Sequence, residues 1–230
     1  MTVTSPDSPL ADFDDSNLGA WATQNWRKLA IGGAVVLVGA LFVGLMMANS
    51  SRKQAAASRE LLQARSSAEA GNLPLAASDL TRLVDRFRGT RAADEAMIML
   101  TQIRLVQNQR DLAVNGLQDF VRSGHDDDIQ ASAYALLGAG LEDQGKPREA
   151  GDAYRQAADH ARLDFLKAQY LIDAGRSFGM SGDSTAAKNV YGQVLDRFPR
   201  LNQSAEARVR MAELGGTVPP PPEPEDSTRN

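Results

Sequence analysis

The chain has 230 residues, a net charge of −4 and no cysteine, which excludes disulfides, thiolate metal sites and cysteine nucleophiles together. Two histidines, His125 and His160, leave little material for a histidine metal centre, and the small acidic balance excludes the basic surface that nucleic acid needs. These properties point to a binding protein that carries no cofactor and no catalytic group.

Residues 1–28 read as a polar leader, disordered to about Asn17 and ending in Trp21 and Trp26. Indole rings favour the headgroup layer of a bilayer. Leu29 to Ala48 then form a run of twenty residues without a charge, flanked by Arg27-Lys28 and Arg52-Lys53. At about 1.5 Å per residue this run spans roughly 30 Å, the thickness of a hydrocarbon core, so 29–48 is expected to be a transmembrane helix. A cleaved signal peptide has a shorter apolar stretch of about 7–15 residues and a basic start, whereas this leader carries Asp7, Asp12, Asp14 and Asp15. Gly33, Ala40 and Gly44 fall on one helical face and could admit a second helix, although small residues are also common in membrane helices in general. Lysines and arginines lie on both sides, with Arg59 and Arg65 adding to the C-terminal side, so charge alone leaves the orientation open.

From 51 to 214 the chain is alanine-rich and helical in pattern, and it repeats with a period of 37. GNLPLAASDLTRLV, NQRDLAVNGLQDFV, GKPREAGDAYRQAA and GDSTAAKNVYGQVL begin at Gly71, Asn108, Gly145 and Gly182. Each Gly or Asn suits a reversal after a helix, because it tolerates positive φ. Five residues on comes a small one (Ala76, Ala113, Ala150, Ala187), and four further on a large one (Leu80, Leu117, Tyr154, Tyr191). The preceding helices carry Tyr134, Leu137, Gly138 and Leu141 in one unit, and Leu171, Gly175 and Phe178 in the next. Close packing of a first helix on a second is thus assigned to Gly138, Gly175, the four alanines, Tyr154 and Tyr191. Units are expected around 53–89, 90–125, 126–162 and 163–199, with a capping helix at 203–214 and a proline-rich disordered tail at 215–230.

His125 with Asp126, Asp127 and Asp128 is the one cluster with metal-ligand chemistry, and carboxylates just before a helix serve first as caps for free N–H groups. His160 is expected to cover the last carbonyls of its helix. A stack of hairpins binds through the concave face lined by its first helices. Spacing assigns Leu61, Arg65, Ile98, Gln102, Leu105, Ala135, Ala139, Glu142, Ile172 and Arg176 to that face. The apolar members among them either form a groove for a polypeptide or pack inside the stack.

The small-x3-large pattern, with Leu137-Gly138, Ala150 and Tyr154, then Gly175, Ala187, Tyr191 and Pro199, resembles the tetratricopeptide repeat. The second unit departs from it at Thr101 and Arg104, and the first lacks most of the first-helix signature. The fold class is therefore all-α: one N-terminal transmembrane helix, then a tetratricopeptide-like α-solenoid of about four hairpins and a cap. In layout, with NWRKLAIGGAVVLVGALFVG leading into the repeats, the chain resembles the YfgM-like family of ancillary SecYEG translocon subunits. That resemblance implies an anchor in a bacterial inner membrane, a periplasmic repeat domain, and translocon subunits, periplasmic chaperones or client polypeptides as partners. A cytoplasm-facing scaffold or receptor and a cell-envelope assembly adaptor are the alternatives. Homo-oligomers, through the groove or the anchor, stay open.

Overall fold

The computed structural model describes residues 25–220, and the expectations for Trp21, the polar leader and the end of the tail lie outside them. The described residues form nine helices and no strand: α1 (Trp26–Glu69), α2 (Leu73–Arg86), α3 (Arg91–Val106), α4 (Arg110–Val121), α5 (Asp127–Asp143), α6 (Pro147–His160), α7 (Asp164–Met180), α8 (Ser184–Arg197) and α9 (Gln203–Glu213). The chain divides into two compact units, the first ending at Lys53 and the second beginning at Gln54.

In the first unit α1 is apolar and long enough to cross a membrane, and no part of its most apolar stretch is buried within the protein. Ile31, Val35, Val36, Leu37, Phe42 and Leu45 all stand exposed. A continuous exposed apolar surface of this kind costs free energy in water and none in lipid. Gly32, Gly39 and Gly44 have open space where a Cβ would point, and Ala40 is exposed. Gly33 lies within the helix, and its surroundings are not described.

The second unit is a stack of hairpins. Helix α5 packs on α6, α6 on α7, α7 on α8 and α8 on α9, with α3 also reaching α5 and α9 reaching α7. The turns inside the hairpins share one device. Gly71, Asn108, Gly145 and Gly182 all have positive φ, Asn108 at 62°. In each, that residue's N–H bonds three residues back and the next N–H bonds five back, as in Gly145 N to Glu142 O (2.8 Å) and Lys146 N to Leu141 O (2.9 Å). This pair of bonds is the Schellman closure, which satisfies carbonyls that a helix end leaves free. Asn72, Thr90 and Asp183 then cap α2, α3 and α8 by accepting from Leu75, Ala93 and Ala186 N–H.

Ala76, Ala113, Ala150 and Ala187 are each fully buried, as are Leu80 and Leu117, while Tyr154 and Tyr191 are buried to within a few per cent. A Cβ added at Gly138 would lie 2.8 Å from Tyr154 Cε1, and one at Gly175 would overlap the ring of Tyr191. Across the hairpin boundary Gly151 takes Phe178 in the same way, with its would-be Cβ 2.7 Å from the ring. Contact this close lets helix axes approach and buries the aromatic rings. In register with the Gly138–Tyr154 and Gly175–Tyr191 pairs stand Ala64 and Leu80 in unit 1, and Thr101 and Leu117 in unit 2. A larger residue on one helix accompanies a smaller one on the other, so the degenerate units keep the total volume.

Thr101 keeps the shape at one cost. It is wholly buried and its hydroxyl has no hydrogen-bond partner. Replacing it by valine removes an unsatisfied polar atom at constant volume, so Thr101→Val is expected to raise stability by about 1 kcal/mol. A rise in the midpoint of thermal unfolding, followed by circular dichroism, checks this; a fall would show that the hydroxyl is satisfied.

Several expectations change here. Asp126 occupies the N-cap of α5 without a side-chain capping bond. Asp126 instead joins the neighbouring unit through Arg91 (3.4 Å), while Asp127 to His160 (3.2 Å) and Asp128 to Arg162 (3.2 Å) tie the two ends of the third unit together. At the opposite ends of the helices Arg110–Asp143 (3.7 Å) and Arg148–Asp183 (2.8 Å) join neighbouring units. Each exposed pair is worth about 0–1 kcal/mol, so they fix the register of units more than they stabilise them. His160 stacks on Tyr134 (5.6 Å between centroids) in addition to facing Asp127. The tail also starts later than expected: α9 ends in a further closure at Gly215, Gly216 N–H bonds to Met211 O (2.9 Å), and Val218 packs on the core.

Candidate protein-binding face

The first helices of the hairpins are the end of α1, α3, α5 and α7. Where the first three meet, a depression of about 220 Å³ is lined by Arg65, Glu95, Ile98, Met99, Gln102, Ile129 and Ser132. Arg65, Ile98 and Gln102 are three of the ten residues that spacing assigned to this face. Arg65 and Gln102 are exposed, and Ile98 is half-buried against the core with Met97. The volume lies below the roughly 300–1,000 Å³ of small-molecule pockets, and suits one apolar side chain of a polypeptide.

Leu105, Ala135 and Ala139 are half-buried further along the same helices. Leu61 and Ile172 are corrections. They are 5% and 1% exposed and belong to the buried clusters, so neither offers surface to a partner. Successive helix residues differ by about 100° around the axis, and one step separates a residue that faces the groove from one that faces the second helix. Glu95, Met99, Ile129 and Ser132 were missed for the same reason. A register drawn from the buried alanines Ala96 and Ala133 would have placed them.

Toward α7 the face turns polar. Glu142 accepts hydrogen bonds from Ser177 Oγ (2.5 Å) and Tyr154 Oη (3.4 Å), and the exposed Arg176 lies 3.7 Å from it and 3.0 Å from Asp173. Burial pushes the Asp173 carboxyl above its ordinary range, against the lowering effect of Arg176. Burial likewise raises the Tyr154 phenol, helped by the Glu142 carboxylate, so the hydroxyl stays a donor. An acid whose folded pKa is raised binds its proton more tightly when folded. The stability this adds is complete below the ordinary carboxyl range and is lost as pH rises through the raised value. Asp173→Asn should remove that decline, and comparing unfolding midpoints of the two proteins from pH 3.5 to 7 tests it. Parallel profiles would refute the assignment.

His125 sits away from this face. Its ring stacks on Phe120 with centroids 3.8 Å apart, its Nδ1 lies 3.1 Å from Asp94 Oδ1 and its Nε2 lies 3.1 Å from Phe120 O. Among the described residues no group of three His, Asp or Glu side chains is placed to hold a metal. Asp126, Asp127 and Asp128 are committed to three different partners, as described above. What the first-helix face can do chemically is bind: it combines an apolar notch, the adaptable Met99, and charged side chains of which Glu95 is paired with Arg91 and Glu142 with Arg176.

No curated protein matches the chain. The match to a family profile begins inside α1 and ends at the start of α7, so the closely packed pairs of Gly175 and Tyr191 lie beyond it. With residues 39–165 matched, more than half of its length, the chain belongs to the tetratricopeptide repeat-like domain family.

Proposed function

We propose that the chain is a non-enzymatic, membrane-anchored protein-interaction module, ancillary to the Sec translocon, that helps hand emerging polypeptides to periplasmic chaperones. Its first helix would cross the bacterial inner membrane once, with the N-terminus cytoplasmic and the repeat domain periplasmic. The observation that carries the reading is one chain holding both a helix whose most apolar stretch is unburied and a tetratricopeptide-like stack with an apolar notch at Ile98, Met99 and Ile129. Support for the translocon comes from the layout of anchor and repeats, which resembles the YfgM-like subunits. Residues around Gly33, Ala40 and Gly44 would meet a membrane helix of the translocon or of a second copy. Confinement to the membrane raises the local concentration of the module, so weak contacts at the notch suffice for capture.

The test uses a C-terminally tagged full chain carrying a photocrosslinking residue at Ile98. With the outer membrane opened and the inner membrane intact, protease should digest the repeat domain, and crosslinks should join Ile98 to translocon subunits, chaperones or secreted chains. Protection until detergent is added would sink the periplasmic reading. The excess of Arg52, Lys53, Arg59 and Arg65 over Arg27 and Lys28 would then fit a cytoplasm-facing receptor.

A further inference from the structure

A second cleft lies on the other side of the hairpins, between the end of α2, the start of α3, α4 and the α4–α5 link, with a volume of about 780 Å³. It opens where the buried core is interrupted. One cluster runs from Ala57 to Ile103 and the other from Val114 to Met211. Gly116 on α4 helps to empty it, standing in register with Ala153 and Val190 of the later units. A Cβ at Gly116 would meet only Arg104 Nη1, at 3.4 Å.

The apolar part of the lining is Val84, Ala93, Met97 and Phe120, the last covered on one ring face by His125. The charged part is acidic in balance, with Asp85, Asp94, Asp119 and Asp126 against Arg88 and Arg91. Both arginines already face carboxylates, Arg88 at Asp85 (3.1 Å) and Arg91 at Asp126 (3.4 Å) and Glu95 (3.2 Å). Asp119 pairs with Arg122 one turn away, in an exposed contact that an incoming cation can replace.

We infer that this cleft binds a basic, partly apolar polypeptide segment. Aliphatic stems of lysine or arginine would lie on Met97 and Phe120 while their charged ends reach Asp85 and Asp119. Methionine adapts to varied side chains, which suits a site that accepts more than one sequence. An anionic ligand, nucleic acid or acidic lipid, meets repulsion here. The inference shares with the proposed function only the premise that the ligand is a polypeptide, and it uses a different face.

The experiment measures fluorescence anisotropy of a nine-residue peptide alternating lysine and leucine, added to the full chain in uncharged detergent micelles, beside a glutamate–leucine counterpart. The lysine peptide should bind and the glutamate peptide should not. Asp85→Lys with Asp119→Lys should weaken binding about tenfold or more. Gly116→Leu fills the cleft, favours the helix and leaves charge unchanged, so a similar loss there locates the peptide. Asp152→Lys, a charge change of the same kind on the exposed surface of α6, should leave the affinity unchanged. Equal affinity for both peptides, no binding, retained binding in either cleft variant, or loss in Asp152→Lys overturns the inference. Crosslinks from Ile98 that survive such a result leave the proposed function standing.

Discussion

Replacing Gly175 by valine is expected to destabilise the repeat domain by about 3 kcal/mol, the upper part of the range for overpacking a close-packed interior. Gly175 lies within α7, where glycine is a poor helix former by about 1 kcal/mol relative to alanine. The sequence keeps it because Tyr191 of α8 occupies the space a Cβ would take; the Cζ atom would be 2.5 Å away. Tyr191 is 2% exposed and has nowhere to retreat. The register shows how the molecule solves the same conflict elsewhere. In unit 2 the equivalent pair is Thr101 with Leu117, and Thr101 has the shape of valine.

Tyr191→Leu alone opens a cavity and should cost about 2 kcal/mol. Made together with Gly175→Val, it recreates the unit 2 combination in unit 4. The double variant should then be more stable than Gly175→Val alone, with a coupling of about 2 kcal/mol or more. Urea unfolding of the four proteins, as full chains in mild detergent, measures the cycle. Additive losses would mean that the two positions do not share one volume, and the account of the degenerate units would fail with it.

The features legible in advance are those set by local geometry. Asn108 could be read as the equivalent of Gly71, Gly145 and Gly182 because a positive φ selects among few residue types, and all four close their helices alike. The buried alanines were legible through their period. What stayed hidden depends on partners far along the chain. Asp127 and Asp128 do stand in the first turn of α5, but their ion-pair partners His160 and Arg162 lie more than thirty residues away and could not be read from the helix start. Gly151 against Phe178 is a contact between units, invisible to a pattern read inside one. The first-helix face suffered most. Leu61 and Ile172 are as apolar as Ile98, and only the angle at which each helix sits on its partner sends them inward.

The interrupted core predicts where a second large loss will be felt. Leu80 is fully buried in the cluster that holds Ala57, Leu61, Leu83, Phe87, Ala96 and Leu100, and Leu80→Ala should cost about 2–5 kcal/mol there. In a stack whose units touch only neighbours, such a loss spreads as far as the contacts that transmit it. The link from α3 to the second cluster runs through Met97 and Ile98, both only partly buried, and a cleft replaces part of the packing between α2 and α4. A loss of about 3 kcal/mol corresponds to exchange of amide hydrogens roughly 100-fold faster in the region that opens. Hydrogen exchange on the full chain should show this acceleration in α2 and α3, while α6 to α8 keep their protection. The reciprocal variant, Val194→Ala in the second cluster, should accelerate α7 and α8 and spare α2. Equal acceleration throughout in both variants would show one cooperative core, with the gap at the cleft energetically bridged. The localised result would mean that the first hairpin can loosen while the C-terminal units stay intact, which places the cleft at the mechanical joint of the domain.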